Sequence, residues 1–188
     1  NFSGLNRVNK ANSGQGITQY SGGANYNAIC NISDGKLKAD LITIEVGAND
    51  TIAPLGTIYD DNDNSTFCGA LNLCIRYLQR NTNAQIVVIS STNSKLNDDG
   101  NYAIPSKKYG TDQHTKYDQW KVTEEICKLN SCYYIPMGET ANMSYARMTS
   151  SDKYNVDNIH HTELGGYNLA KFVWSRLSTI PLWYSLIS

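Results

Sequence analysis

Apolar positions along the chain fall into short runs separated by longer polar tracts. Three runs read as buried strands, being brief and rich in β-branched residues or Tyr: Leu41-Ile-Thr-Ile-Glu-Val46, Gln85-Ile-Val-Val-Ile-Ser90 and Cys132-Tyr-Tyr-Ile-Pro136. A weaker strand is expected over 5–9. Between them the spacing changes to three and four. In 66–80, Phe67, Ala70, Leu71, Cys74, Tyr77 and Leu78 form one stripe, with Ser65 or Thr66 as the N-cap. A second helix is expected over 113–129. A third runs from Glu163 to Leu177, with Leu164, Tyr167, Ala170, Val173 and Leu177 on one stripe and Thr162 as its cap. Strands alternating with helices imply βαβ units and a largely parallel sheet. The polar tracts 18–38, 91–112 and 138–156 read as long loops, which in such folds often shape a site.

The chain has 188 residues, of which 40% are hydrophobic, enough for one core and one domain over 1–188. Lys plus Arg is 16 and Asp plus Glu is 17, a net charge of −1. That balance offers no basic face for nucleic acid. No apolar run approaches the roughly 20 residues of a membrane span. The five Cys include no Cys-Xaa-Xaa-Cys pair, so neither a zinc ribbon nor a thioredoxin motif is supported. Buried free thiols are the expected state, although Cys127 and Cys132 straddle a turn and could pair. The acidic run from Asp60 to Asn64 does not make a calcium loop. Counted from Asp61, the sixth position is Thr66 instead of Gly and the twelfth is Asn72 instead of Glu. Three His without matching Cys or Glu spacing give no metal site, and the glycine pairs near the start make no nucleotide fingerprint. No cofactor is expected.

Two places carry chemistry. The strand at 41–46 ends in Gly47-Ala-Asn-Asp50, and ligands of open parallel sheets bind beyond the carboxyl ends of strands. A Gly followed by an amide there turns the backbone tightly and aims a side-chain N–H into the crevice, though the same residues also make an ordinary turn. Later comes Asp157-Asn-Ile-His160 at the entrance of the last helix. An Asp three residues before a His can accept the imidazole Nδ1–H and leave Nε2 as a general base. A surface or capping His is the competing reading. His114 and His161 have no comparable partner in the sequence. Gly14, beyond the weak first strand, can offer its backbone N–H to an anion or simply make a turn.

In this order, Gly14, Gly47-Ala-Asn-Asp50 and Asp157-Asn-Ile-His160 resemble three of the four short blocks of the SGNH (GDSL-type) hydrolase family. The stretch from Thr66 to Ile89 and the closing Leu164-Gly-Gly-Tyr-Asn-Leu-Ala170 are similar to bacterial members. The resemblance implies a flavodoxin-like three-layer α/β/α fold with strand order 2-1-3-4-5. It implies a serine ester hydrolase in which His160 is the general base and Asp157 orients it. Gly14 and Asn49 would donate to the oxyanion, while Gly47 and Asp50 would support the turn. The substrate expected is an acetylated glycan or another small polar ester. The alternatives are a lipid esterase or thioesterase of the same family and a non-catalytic glycan-binding or structural module. The family's Gly-Asp-Ser block occurs nowhere in the chain, which opens at Asn1 instead of Met. Its strand would be central, between 5–9 and 41–46. The expectation is therefore that a strand, the serine turn and a helix come from a preceding segment or another molecule.

Overall fold

Why the central runs are strands is plain in the computed structural model, which describes residues 6–30, 38–92, 108, 110–141, 153–156 and 160–181. β1 (Leu41–Val46), β2 (Gln85–Ser90) and β3 (Tyr133–Ile135) form a parallel sheet in the order β1-β2-β3. Leu41 pairs with Gln85 and Val46 with Ser90, and Val87 to Ile89 pair with Tyr133 to Ile135. From Ile86 onward β2 is buried at every position, as a central strand covered on both faces must be. β1 alternates instead: Ile44 and Val46 are buried, while Thr43 and Glu45 are exposed. Among the described residues no strand pairs with the outer edge of β1.

The helices lie on both faces. α1 (Ala24–Cys30), α2 (Phe67–Asn81) and α3 (Lys116–Leu129) pack with Ile44, Val46, Ile86 and Val88 in the larger core cluster. A short α4 (Met137–Thr140) and the last helix, α5 (Glu163–Leu177), cover Val87, Ile89 and Ile135 on the other face. The molecule is thus an α/β protein with helices flanking a parallel sheet. Thr66 caps α2 by accepting from Gly69 N. Thr115 and Asp118 close a capping box at the start of α3. Thr162 caps α5 by accepting from Gly165 N.

Several expectations need correction. Residues 6–9 are irregular, so the weak strand over 5–9 does not form there, and Leu5 lies outside the described residues. The tract 18–38 is not simply loop, because it contains a 3-10 turn at Gln19–Ser21 and α1. The buried side of α5 is Gly165 and Leu169, with Phe172, Val173 and Leu177 packed on the sheet. Leu164 and Tyr167 of the expected stripe are exposed at 41% and 60%, and Ala170 is exposed too. Gly165 sets this phase: a Cβ there would run into the Tyr154 carbonyl, so only glycine lets the helix lie so close. All five cysteines are free thiols. Cys127 and Cys132 are neighbouring thiols, as are Cys30 and Cys74, and all four belong to the larger core cluster. The carboxylates at 60–63 are used locally. Asp60 accepts from Thr57 and Thr66, Asp61 pairs with Arg76, and Asp63 accepts from Ser65.

Candidate functional site

At the carboxyl end of the sheet, Ser91 N donates to Val46 O at 3.0 Å, extending the β1-β2 ladder by one step. There β1 breaks into the Gly47–Asp50 turn. Gly47 has φ +95, and a Cβ on it would stand 2.7 Å from Gln119 Oε1, so both backbone and space require glycine. Ala48 and Asn49 are exposed on the outer side of the turn. Asn49 Nδ2 lies 3.5 Å from the Gln15 carbonyl, at the outer limit of a hydrogen bond.

Asp50 turns inward and is 1% exposed. Its Oδ1 accepts from Ile17 N, Thr18 N and Thr18 Oγ1, each at 2.9 Å, and from Ser21 Oγ at 2.7 Å. Charge-assisted bonds to a carboxylate are the strong class of hydrogen bond. They fasten the segment after Gly14 to the turn after β1. A Cβ on Gly16 would meet Asp50 Oδ1, so the strap can approach only because residue 16 is glycine. Gly14 itself sits on this strap with φ +71, exposed and with open space around it. Gly14, Gly47, Asn49 and Asp50, 36 positions apart at the extremes, are therefore gathered at one place.

Beneath the turn lies a lysine. Lys116, at the first position of α3, is 2% exposed. Its Nζ donates to the Gly47 carbonyl, to Gln119 Oε1 at 2.9 Å and to Ser91 Oγ at 3.3 Å. Burial pushes the ammonium down to about 8, against the opposing pull of the Asp50 and Glu45 carboxylates.

His160 is exposed at the entrance of α5, and its carbonyl accepts from Val156 N at 2.8 Å. Asp157 lies outside the described residues. The next residue ties this entrance to the sheet, because His161 Nε2 is 3.1 Å from Thr92 Oγ1, two positions past the end of β2. Burial pushes the His161 ring below its ordinary value, and the neighbouring His160 acts the same way. The His160 segment thus stands by the end of β2, the strand adjacent to the one that carries the Asn49 turn.

One expectation about the histidines is overturned. His114 does have a carboxylate partner: its Nδ1 is 2.8 Å from Asp112 Oδ1. Asp112 Oδ2 also accepts from Leu55 N at 2.6 Å. Burial works to raise the Asp112 carboxyl, but the bonds from His114 and Leu55 together hold it below the usual range. With His114 5% exposed, the pair fastens the loop before α3 to the loop after the Gly47 turn. The Asp-Xaa-His spacing ahead of a Thr cap was its only sequence signal. Lys116 had none, since lysine is ordinarily a surface residue.

Among the described residues, no group of three or more His, Cys, Asp or Glu could hold a metal ion. Nor is any described helix long and apolar enough to cross a membrane.

This arrangement defines an α/β protein with a candidate site at the carboxyl edge of a parallel sheet. No protein-family model and no curated protein matches the chain. A solved structure of a protein from Lactobacillus plantarum, from a structural-genomics programme, is similar with a TM-score of 0.72 and 22% identity. The match covers 90% of this chain and 79% of that one. A second solved structure matches with a TM-score of 0.63 and 21% identity, over 76% of this chain and 65% of its own length. These likenesses carry the α/β fold.

Proposed function

We propose that the chain is the larger part of a serine ester hydrolase of the SGNH type, acting by acyl transfer on acetylated glycans or other small polar esters. The observation that carries this reading is the convergence of the Gly14 strap and the Asn49 turn, fastened by Asp50, at the carboxyl edge of the sheet. In it, Gly14 N–H and the Asn49 amide donate to the oxygen that gains charge as a carbonyl becomes tetrahedral. His160 takes the proton of the attacking serine hydroxyl and returns it to the leaving alcohol, with Asp157 orienting the ring. Water then attacks the acyl-serine with His160 as base, releasing the acid. The finer fold in this reading is flavodoxin-like with order 2-1-3-4-5, β1, β2 and β3 taking the last three places. The serine comes from a strand beside the open outer edge of β1, in a preceding segment or on another molecule. Loops rich in Asn, Tyr and Ser suit sugar hydroxyls and ring faces better than a long acyl chain.

The experiment is fluorophosphonate labelling of the folded material with mass spectrometry, alongside p-nitrophenyl acetate hydrolysis by the protein and its His160→Ala variant. An adduct on a serine of a strand–helix segment associated with the chain is expected. So is a loss of at least about 10³ in rate in the variant. Equal rates in the two proteins would refute the assignment. The absence of a Gly-Asp-Ser block favours a second reading, a non-catalytic glycan-binding module. Folded protein that takes no label but retains acetylated oligosaccharide would establish it.

A further inference from the structure

The lysine under the turn has a consequence for what the turn presents above. The Gly47 carbonyl and the Ala48 N–H belong to one peptide unit. No cis peptide occurs among the described residues, so the two groups point in opposite directions. Lys116 Nζ draws the carbonyl inward, to a position buried beneath the turn. Ala48 N–H is thereby turned outward on an exposed residue next to Asn49, and no acceptor among the described residues meets it.

We propose that Lys116 is a positioning residue that aims the Ala48 N–H out of the fold beside the Asn49 amide, giving the site a further donor for an anionic oxygen. That this oxygen is the oxyanion of an ester in transition rests on the hydrolase reading; the aiming itself does not. The geometry is over-determined. Lys116 is held by Gln119 Oε1 and Ser91 Oγ as well as by the Gly47 carbonyl. Gly47 in turn cannot move toward α3, because Gln119 fills the space. The charged groups facing the ammonium are Asp50 from the turn and Glu45 from β1, and His114 lies two positions earlier on its own segment. Burial sets the ammonium to lose its proton near pH 8. The carbonyl then loses a charged donor, and the Ala48 amide should register the change.

The test is an NMR titration of the whole chain from pH 6 to 10.5. It follows the Lys116 Nζ signal, the Ala48 and Asn49 backbone amides, the Asn49 side-chain amide and the side chains of Asp50, Glu45 and His114. The expected result is an Ala48 amide shift with the same midpoint as Lys116 Nζ, abolished in Lys116→Met. An Ala48 amide that does not follow Nζ in the wild type, or that shifts over the same pH range in Lys116→Met, overturns the proposal. The wild-type titration needs no variant, so it stands even if Lys116→Met fails to fold. In material active on p-nitrophenyl acetate, Lys116→Met should lower kcat by about 10- to 100-fold with KM little changed. A change in KM alone would count against the donor. If the protein hydrolyses no ester, the hydrolase reading falls while the Ala48 titration still decides whether Lys116 aims the amide.

Discussion

Replacing Asp50 by alanine tests the fastening that gathers the site. Four donors converge on one carboxylate oxygen: two backbone N–H groups and two hydroxyls. The hydroxyls have other outlets, since Thr18 Oγ1 lies 3.0 Å from Ser21 Oγ and Ser21 Oγ also donates to the Thr18 carbonyl. The amides do not. Ile17 is 2% and Thr18 0% exposed, so without Asp50 two buried N–H groups lose their acceptor. Each such orphan costs about 1–3 kcal/mol, which puts Asp50→Ala at about 2–6 kcal/mol. Against a total of about 5–15 kcal/mol, that is a large share. Asp50→Asn keeps an acceptor oxygen but not the charge, and is expected to cost about half as much. Urea unfolding followed by Trp fluorescence measures the loss. Hydrogen exchange shows where it falls, with Ile17 and Thr18 amides accelerating more than those of β2. A loss under about 1 kcal/mol with unchanged exchange at both amides would show that the strap is held by something else.

Gly47→Ala should cost about 2–4 kcal/mol, combining a left-handed backbone with a Cβ pressed on Gln119, which cannot retreat because it carries Lys116. A thermal midpoint within 1 °C of the parent would contradict it. The pH dependence of Lys116 has a definite sign. Its folded pKa, lowered from 10.5 to about 8, means the unfolded chain binds the extra proton between those values. The penalty is complete below pH 8 and is relieved as pH rises toward 10.5, by up to about 3 kcal/mol. Buried Cys68, Cys74 and Cys127, whose thiols are pushed up chiefly by burial or by neighbouring thiols, act in the opposite direction over the same range. The readout is therefore the stability difference between wild type and Lys116→Met, in which the thiols cancel. The wild type should gain on the variant from pH 8 to 10.5; a constant difference would rule the penalty out.

What could be read from the sequence divides along a physical line. β1, β2 and α5 fall where hydrophobic pattern and caps place them, because a continuous apolar run and a Thr cap are local signals. The 24–30 helix escaped, since its Asn and Tyr are weak helix formers and it is held by Tyr26, Ile29 and Cys30 packing on the core. The face of α5 escaped because two apolar stripes compete along it, and only the Gly165–Tyr154 contact chooses between them. At the site, the turn residues were visible as a motif. The place of Lys116 depends on where α3 begins relative to β1, which no local pattern encodes, whereas the His114–Asp112 pair, two positions apart, had only its Asp-Xaa-His spacing as a signal.

The same reasoning bears on the open side of β1. In Leu41-Ile-Thr-Ile-Glu-Val46 the polar residues Thr43 and Glu45 alternate with the core positions, whereas Gln85-Ile-Val-Val-Ile-Ser90 is apolar on both faces. Thr43 and Glu45 are exposed on the face where Leu41 packs with Val87 and Ile89, so that face of β1 is polar toward its carboxyl end. Among the described residues, no strand pairs with the backbone along the outer edge. A strand beside β1 would therefore be recruited by its ladder hydrogen bonds, with its apolar side chains extending only the Ile42, Ile44 and Val46 face. That restricts the nucleophile-bearing segment of the hydrolase reading: its strand should itself alternate, apolar toward the α1–α2 side and polar toward Thr43 and Glu45.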